Sequence, residues 1–252
     1  MKKQNLLFIP FILGLGIGLL SCNFNNNDSG NYQIFPTSPA VVDFRTDRDG
    51  LTICTPWGYI AAPSLALAGI SEGDCIITKF IIDYDDQPSD KYYTATAIEQ
   101  ERVDQSYPTI SNTIELEEYT LPLSVVNAEI NDFFLGRFFI KATCKDKNPS
   151  FRLMFNPAEE ETNGVKNFYL QTKPSSSTVS ATDVSTFHAF DLSHIIQQYG
   201  RDTTKILNNF SDKCDFKYIK ANLKYVSKIT DNGPEYKWIG SAPIDFCIFK
   251  DQ

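Results

Sequence analysis

His188 and His194 are the only two imidazoles in the chain. They stand six residues apart across what reads as a strand-to-helix junction, with no thiolate or carboxylate at ligand spacing beside them. A zinc site needs three or four such ligands, so both read as packed or solvent-facing rings and no metal site is expected. Asp47-Arg48-Asp49-Gly50 imitates the start of a calcium loop but lacks the downstream bidentate Glu; Asp-Gly is also a hairpin-turn signal. Glu159-Glu160-Glu161, between Asn156-Pro157 and Asn163-Gly164, reads as a solvated loop. The sequence contains no Gly-x-Ser-x-Gly, no His-Glu-x-x-His and no glycine-rich loop before a helix. A glycosidase would need two carboxylates about 5 to 10 Å apart across a cleft, and no pair stands out. No catalytic residue is nominated and no cofactor is implied. An envelope hydrolase with its cleft between domains is the least favoured reading.

Besides Cys22 the chain has Cys54, Cys75, Cys144, Cys214 and Cys247, an odd number without Cys-x-x-Cys spacing. Cys54, Cys144 and Cys247 sit in apolar strand-like runs, where a buried inert thiol is expected. In an oxidising compartment a Cys54–Cys75 bridge remains open. The residues ranked first for binding lie on a hairpin spanning Ile81 to Thr94. There Asp83, Asp85, Asp86 and Asp90 concentrate negative charge at a turn flanked by Tyr84, Tyr92 and Tyr93. Such a tip suits a basic partner or a weakly held cation. The competing reading is structural, because Asp, Gln, Pro and Ser are ordinary turn residues and charged tips deter strand-to-strand aggregation.

The N-terminus carries the sharpest signal. Lys2 and Lys3 precede an apolar run from Leu6 to Leu20, and Leu19-Leu20-Ser21-Cys22 follows. At 1.5 Å per residue the run spans roughly 22 Å, short of the ~30 Å hydrocarbon core. A cleaved leader (residues 1–21) is therefore expected, with Cys22 as a lipidated first residue and the membrane as its partner through acyl chains worth about 0.8 kcal/mol per buried CH₂. Residues 22–34 are mostly polar and read as a tether.

The elements that must position these residues are strands. Val41 to Arg45, Leu51 to Cys54, Trp57 to Ala62, Cys75 to Tyr84 and Tyr92 to Val103 predict a five-stranded OB-like barrel over residues 35–106. The pattern breaks between Asp104 and Thr113 at Ser106-Tyr107-Pro108, where a linker between separately folding units is expected. Residues 107–252 then read as an antiparallel β-sandwich. Its candidate strands are Phe133 to Cys144, Phe151 to Asn156, Asn167 to Thr172, Ser185 to Leu192, Phe216 to Lys228 and Ile244 to Phe249. Leu192, Ile195, Ile196 and Tyr199 recur at helical spacing, and Gly200 follows as a C-terminal cap. The fold class is all-β with one short helix. Thirty-one acids against 23 bases give a net charge of -8, which speaks against nucleic acid as a partner because that affinity comes mostly from Lys and Arg.

The lipobox leader, the polar tether, the barrel-like unit ending in an acidic hairpin and the sandwich containing Phe190-Asp191-Leu192-Ser193 together resemble the NigD-like lipoproteins of Bacteroidetes. The resemblance implies an OB-type barrel followed by a β-sandwich, and a cell-envelope protein of the outer membrane tied by association to bacteriocin immunity. The expected function is a non-catalytic binding or accessory module with a protein partner; glycan binding through aromatic faces is the alternative.

Overall fold

The computed structural model describes residues 31–250 except 45–50, 88–92, 131–133, 135, 162–163, 176–179, 181 and 207–212. The expected leader, Cys22 and most of the expected tether lie outside the described residues, as do Asp90 and Tyr92. From Asn31 onward the chain clusters as one compact unit. No helix among the described residues is long and apolar enough to cross a membrane.

Five strands make the first layer: β1 (Tyr32–Phe44), β2 (Leu51–Thr55), β3 (Gly58–Ala61), β4 (Cys75–Asp83) and β5 (Thr96–Val103), in the order β3-β2-β1-β4-β5. β1 reaches nine residues further towards the N-terminus than its Val-rich core predicts, because Pro36 and Pro39 hide it. Its register against β4 shifts between Phe35 and Ser38, and a bulge is where a strand tolerates proline. Tyr32, Gln33 and Ile34, expected to belong to a tether, are therefore part of the sheet. The sheet curls until its two ends meet through one parallel bridge, Ala61 to Thr94. The Ala61 amide donates to the Tyr93 carbonyl and the Ala95 amide to the Ala61 carbonyl, both at 2.8 Å. The small closed barrel that five short strands suggest is therefore not formed: the ends of the sheet touch at one bridge, and no ladder closes it. Phe35, Ile53, Leu65, Ile76 and Phe80 fill its interior.

The remaining strands form two facing sheets. One has the order β6-β12-β9-β8, built from Gln105–Ser106 (β6), Val125–Ile130 (β8), Arg137–Cys144 (β9) and Val184–Asp191 (β12). The other runs β13-β14-β11-β10-β7, with β15 also paired to β14. Its strands are Thr109–Ile110 (β7), Ser150–Glu161 (β10), Val165–Lys173 (β11), Arg201–Ile206 (β13), Lys213–Thr230 (β14) and Gly233–Phe249 (β15). Between them lies a core that includes Phe138, Phe155, Phe168, Phe190 and Phe246. The sandwich is mixed where an antiparallel one was expected: β7, β11 and β6 run parallel to β10, β14 and β12. The excursion through β12, a short helix and β13 between β11 and β14 returns the chain in the same direction. That helix, α1 (Ser193–Tyr199), buries Ile195 and Ile196 as its spacing predicts. Its cap differs from expectation. Gly200 is extended, with φ -75° and ψ 157°, and its amide donates to the Ile196 carbonyl. A side chain there would collide with that carbonyl oxygen and press on the Tyr218 carbonyl at 3.1 Å.

The segment expected to be a free linker is woven into both sheets. Gln105 and Ser106 pair with β12, and Thr109 and Ile110 with β10. A third apolar cluster joins the layers: Val41, Cys54, Tyr59 and Cys75 from the outside of the first sheet meet Phe134 and Phe139.

Candidate functional site

The described residues of the acidic hairpin, on either side of 88–92, are held by hydrogen bonds at its neck. Asp85 accepts from the backbone and side-chain nitrogens of Asn31 at 3.3 and 3.4 Å, and Asp83 accepts from the Asp85 amide at 3.0 Å. Gln87 clamps the neck of the turn: its carbonyl oxygen accepts from the Thr94 amide at 2.7 Å, and its NH₂ donates to the Thr94 carbonyl at 3.2 Å and to the Asp83 carbonyl. The Tyr84 hydroxyl donates to Gln33 at 2.9 Å, and its ring meets Tyr93 edge-on at 5.4 Å. Burial, then the neighbouring Tyr93, pushes the Tyr84 hydroxyl above its ordinary pKa. Asp83, Tyr84, Asp85 and Tyr93 thus come together as a braced turn beside the entry of β1, with Asp86 exposed at its end. Among the described residues no group of three His, Cys, Asp or Glu is placed to hold a metal ion.

The two histidines part company. His188, on β12, is buried between Phe151 and Phe190 and shares a 2.9 Å hydrogen bond through Nε2 with the Ser106 hydroxyl. Burial pushes it down to about 4 against the opposing pull of Asp104, so it is neutral at pH 7 as a core ring. His194 lies on α1, at the rim of an open groove with Tyr107, Pro108 and Ile110. Phe190-Asp191-Leu192-Ser193 is a structural joint. Phe190 and Leu192 enter the core; Asp191 accepts from the Ser193 amide and hydroxyl at 2.9 and 2.5 Å and pairs with Arg137 at 3.2 Å. Cys54, Cys75, Cys144 and Cys247 are buried thiols, not disulfides. Val41 is the register partner of both Cys54 and Cys75, so one strand separates them and their Cα atoms are about two strand spacings apart, near 9.5 Å. That exceeds the roughly 7 Å limit for a disulfide and rules out the bridge left open above. Burial drives the Cys75 thiol up to about 12. Cys214's side chain lies outside the described residues.

A second surface escaped the sequence reading. On the outward face of the six-stranded sheet, Tyr169 (β11) is the register partner of Lys224 (β14), and Lys224 of Trp238 (β15). Across this row the Lys224 ammonium lies 4.4 Å from the Trp238 ring centre and 5.2 Å from that of Tyr169. Tyr236 meets Tyr169 edge-on at 5.1 Å. One wall is the bulge of β10, where Glu159 accepts from the Tyr169 hydroxyl at 2.5 Å and the Asn167 amide at 2.8 Å. The other is the loop before β8. Its Glu115 and Leu116 carbonyls accept from Arg152 at 2.9 and 3.3 Å, and the Arg152 guanidinium stacks on Tyr119 at 3.9 Å. Tyr225 and Lys224 alternate on β14, so the odd positions were legible as core. What the even positions meet across the strands depends on a parallel register that no local pattern carries.

These layers define the class: a curled five-stranded sheet packed on a mixed two-sheet sandwich. No family model matches the chain, and no curated protein matches it. Among solved structures, an uncharacterized protein from Parabacteroides merdae ATCC 43184 covers 86% of this chain and 100% of its own, at 13% identity and a TM-score of 0.63. A candidate lipoprotein from Bacteroides fragilis NCTC 9343 covers 87% and 99% at 12% identity and a TM-score of 0.51. A NigD-like immunity protein from Bacteroides caccae ATCC 43185 is similar over 80% of this chain and 91% of its own, at 16% identity and a TM-score of 0.47.

Proposed function

We propose that this chain is a non-catalytic cell-envelope lipoprotein, anchored in the outer membrane through Cys22 and presenting its β layers as a binding or accessory module. The observation that carries the reading is the order of the parts. A charged and apolar leader ends in Leu19-Leu20-Ser21-Cys22, a short polar segment follows, and the compact unit begins at Asn31. The fold shared with a candidate lipoprotein supports it. Barrels of the OB kind bind oligonucleotides and oligosaccharides on the face of their second and third strands. In this chain Cys54 and Tyr59 of that face are packed against Phe134 and Phe139, which supports an accessory role over nucleic-acid binding. Immunity to a bacteriocin is one form such a role could take, with a protein as the partner.

Palmitate labelling tests the anchor. Wild-type protein should take up label, and Cys22→Ser should remain as an unlabelled, uncleaved precursor. Unlabelled wild-type protein released in soluble form would sink the proposal.

A further inference from the structure

We propose that the outward face of the six-stranded sheet carries a saccharide-binding platform made by the exposed Trp238 ring with Lys224 and Glu159, braced by the buried Tyr169 and the half-buried Tyr236. The inference names a ligand class for the binding module proposed above and rests on that reading for its place in the envelope. A pyranose offers one face of C–H bonds and a rim of hydroxyls. The first asks for an exposed aromatic ring and the second for fixed donors and acceptors at its edge. Trp238 stands on the outermost strand with 51% of its surface in solvent, against an ammonium that its register partner Lys224 supplies. Glu159 stands across the row, its carboxylate fixed by Tyr169 and Asn167. The Tyr169 and Tyr236 rings brace one another at 5.1 Å, so the surface is formed before any ligand arrives. Ring, cation and carboxylate together match a sugar better than they match an apolar peptide face.

Strand addition along β15 is disfavoured by the strand's own backbone. Pro234 and Pro243 lack amide hydrogens to donate, Gly240 turns at φ 83°, and the β14–β15 ladder slips between Ala221 and Leu223 and between Val226 and Lys228. Such breaks deny an incoming strand a continuous edge. A phosphate backbone would want several cations, whereas this row offers one lysine in a chain of net charge -8.

The test is affinity electrophoresis of the full chain, purified in detergent, through native gels containing soluble starch, laminarin, xylan, polygalacturonate or chondroitin sulfate. At least one should retard the protein, the neutral and acidic gels telling whether Lys224 meets hydroxyls or carboxylates. Trp238→Ala and Lys224→Ala should each weaken the retardation roughly tenfold; Trp238→Tyr should keep most of it and Trp57→Phe all of it. An unchanged thermal midpoint shows that each variant is folded, and Trp238→Tyr with Lys224→Ala decides the matter if Trp238→Ala is not. Free migration in all five gels, or retardation that neither Trp238→Ala nor Lys224→Ala weakens, would overturn the proposal. Palmitate labelling of Cys22 reads the anchor separately, so losing one leaves the other standing.

Discussion

At the scale of single residues, the groups with the most reactive chemistry are the ones most thoroughly spent on structure. His188 is the clearest case, because its environment is apolar on both faces and offers Ser106 as its near polar neighbour. Its pKa is about 4 in the folded chain against an ordinary 6.5. Between those values the unfolded chain binds a proton that the folded chain refuses. The linkage sign follows: stability is at its full value above about pH 6.5 and falls as pH drops towards 4. The shift corresponds to a loss on the order of 3 kcal/mol. His188→Gln, which keeps a partner for Ser106, should flatten this loss. Urea midpoints at pH 7 and pH 4.5 measure it, and parallel declines in wild type and variant would show that another group titrates. The same logic makes Cys75, with its thiol held near 12, inert to alkylation at neutral pH while the chain stays folded.

At the scale of elements, turns and caps are specified more tightly than the strands they join. Gly200 closes α1 in an extended conformation that any residue can adopt, so glycine is needed there for space alone. Gly200→Ala would drive a Cβ into the Ile196 carbonyl and against that of Tyr218. Both are backbone atoms, and neither can swing aside. Overpacking of this kind costs about 1 to 3 kcal/mol, and the urea midpoint should fall accordingly; an unchanged midpoint would mean that the end of α1 yields freely. β15 shows the opposite case. Its two prolines and Gly240 argue against a strand when read in sequence, yet 13 of its 17 residues pair with β14 because bulges absorb the interruptions.

At the scale of the whole molecule, the decisive contact is the apolar cluster between the curled sheet and the sandwich. Phe139 is buried in it beside Phe134, so Phe139→Ala should cost about 3 to 5 kcal/mol. Two tryptophans report on the layers separately, Trp57 packing on Phe35 and Phe80 in the curled sheet and Trp238 standing on β15. In Trp57→Phe and Trp238→Phe proteins, the remaining indole should lose its signal at the same denaturant concentration, as a single cooperative unit requires. Two separated transitions would instead restore the boundary near residue 106. Limited proteolysis reads the same question, since the segment 104–113 should resist cutting while it is paired to β12 and β10.

Much of the fold was legible because side chains repeat with their element. Ile219, Ala221, Leu223 and Tyr225 alternate and are all buried, and the spacing of Ile195 and Ile196 placed α1. The all-β class and the five strands of the first layer follow from such local periods and from turn residues. The net charge of -8 and the Leu19-Leu20-Ser21-Cys22 run, on which the proposed anchor rests, are likewise read from the sequence alone. Tertiary structure alone decided what lies across from what. It set Val41 between Cys54 and Cys75, enclosed His188 between two rings, tied Asp85 to Asn31 and Gln87 to Thr94, and brought Tyr169 of β11 beside the Lys224–Trp238 pair of the β14–β15 hairpin. Register between distant strands depends on the sum of many packing contacts, none of which leaves a mark on its own stretch of sequence.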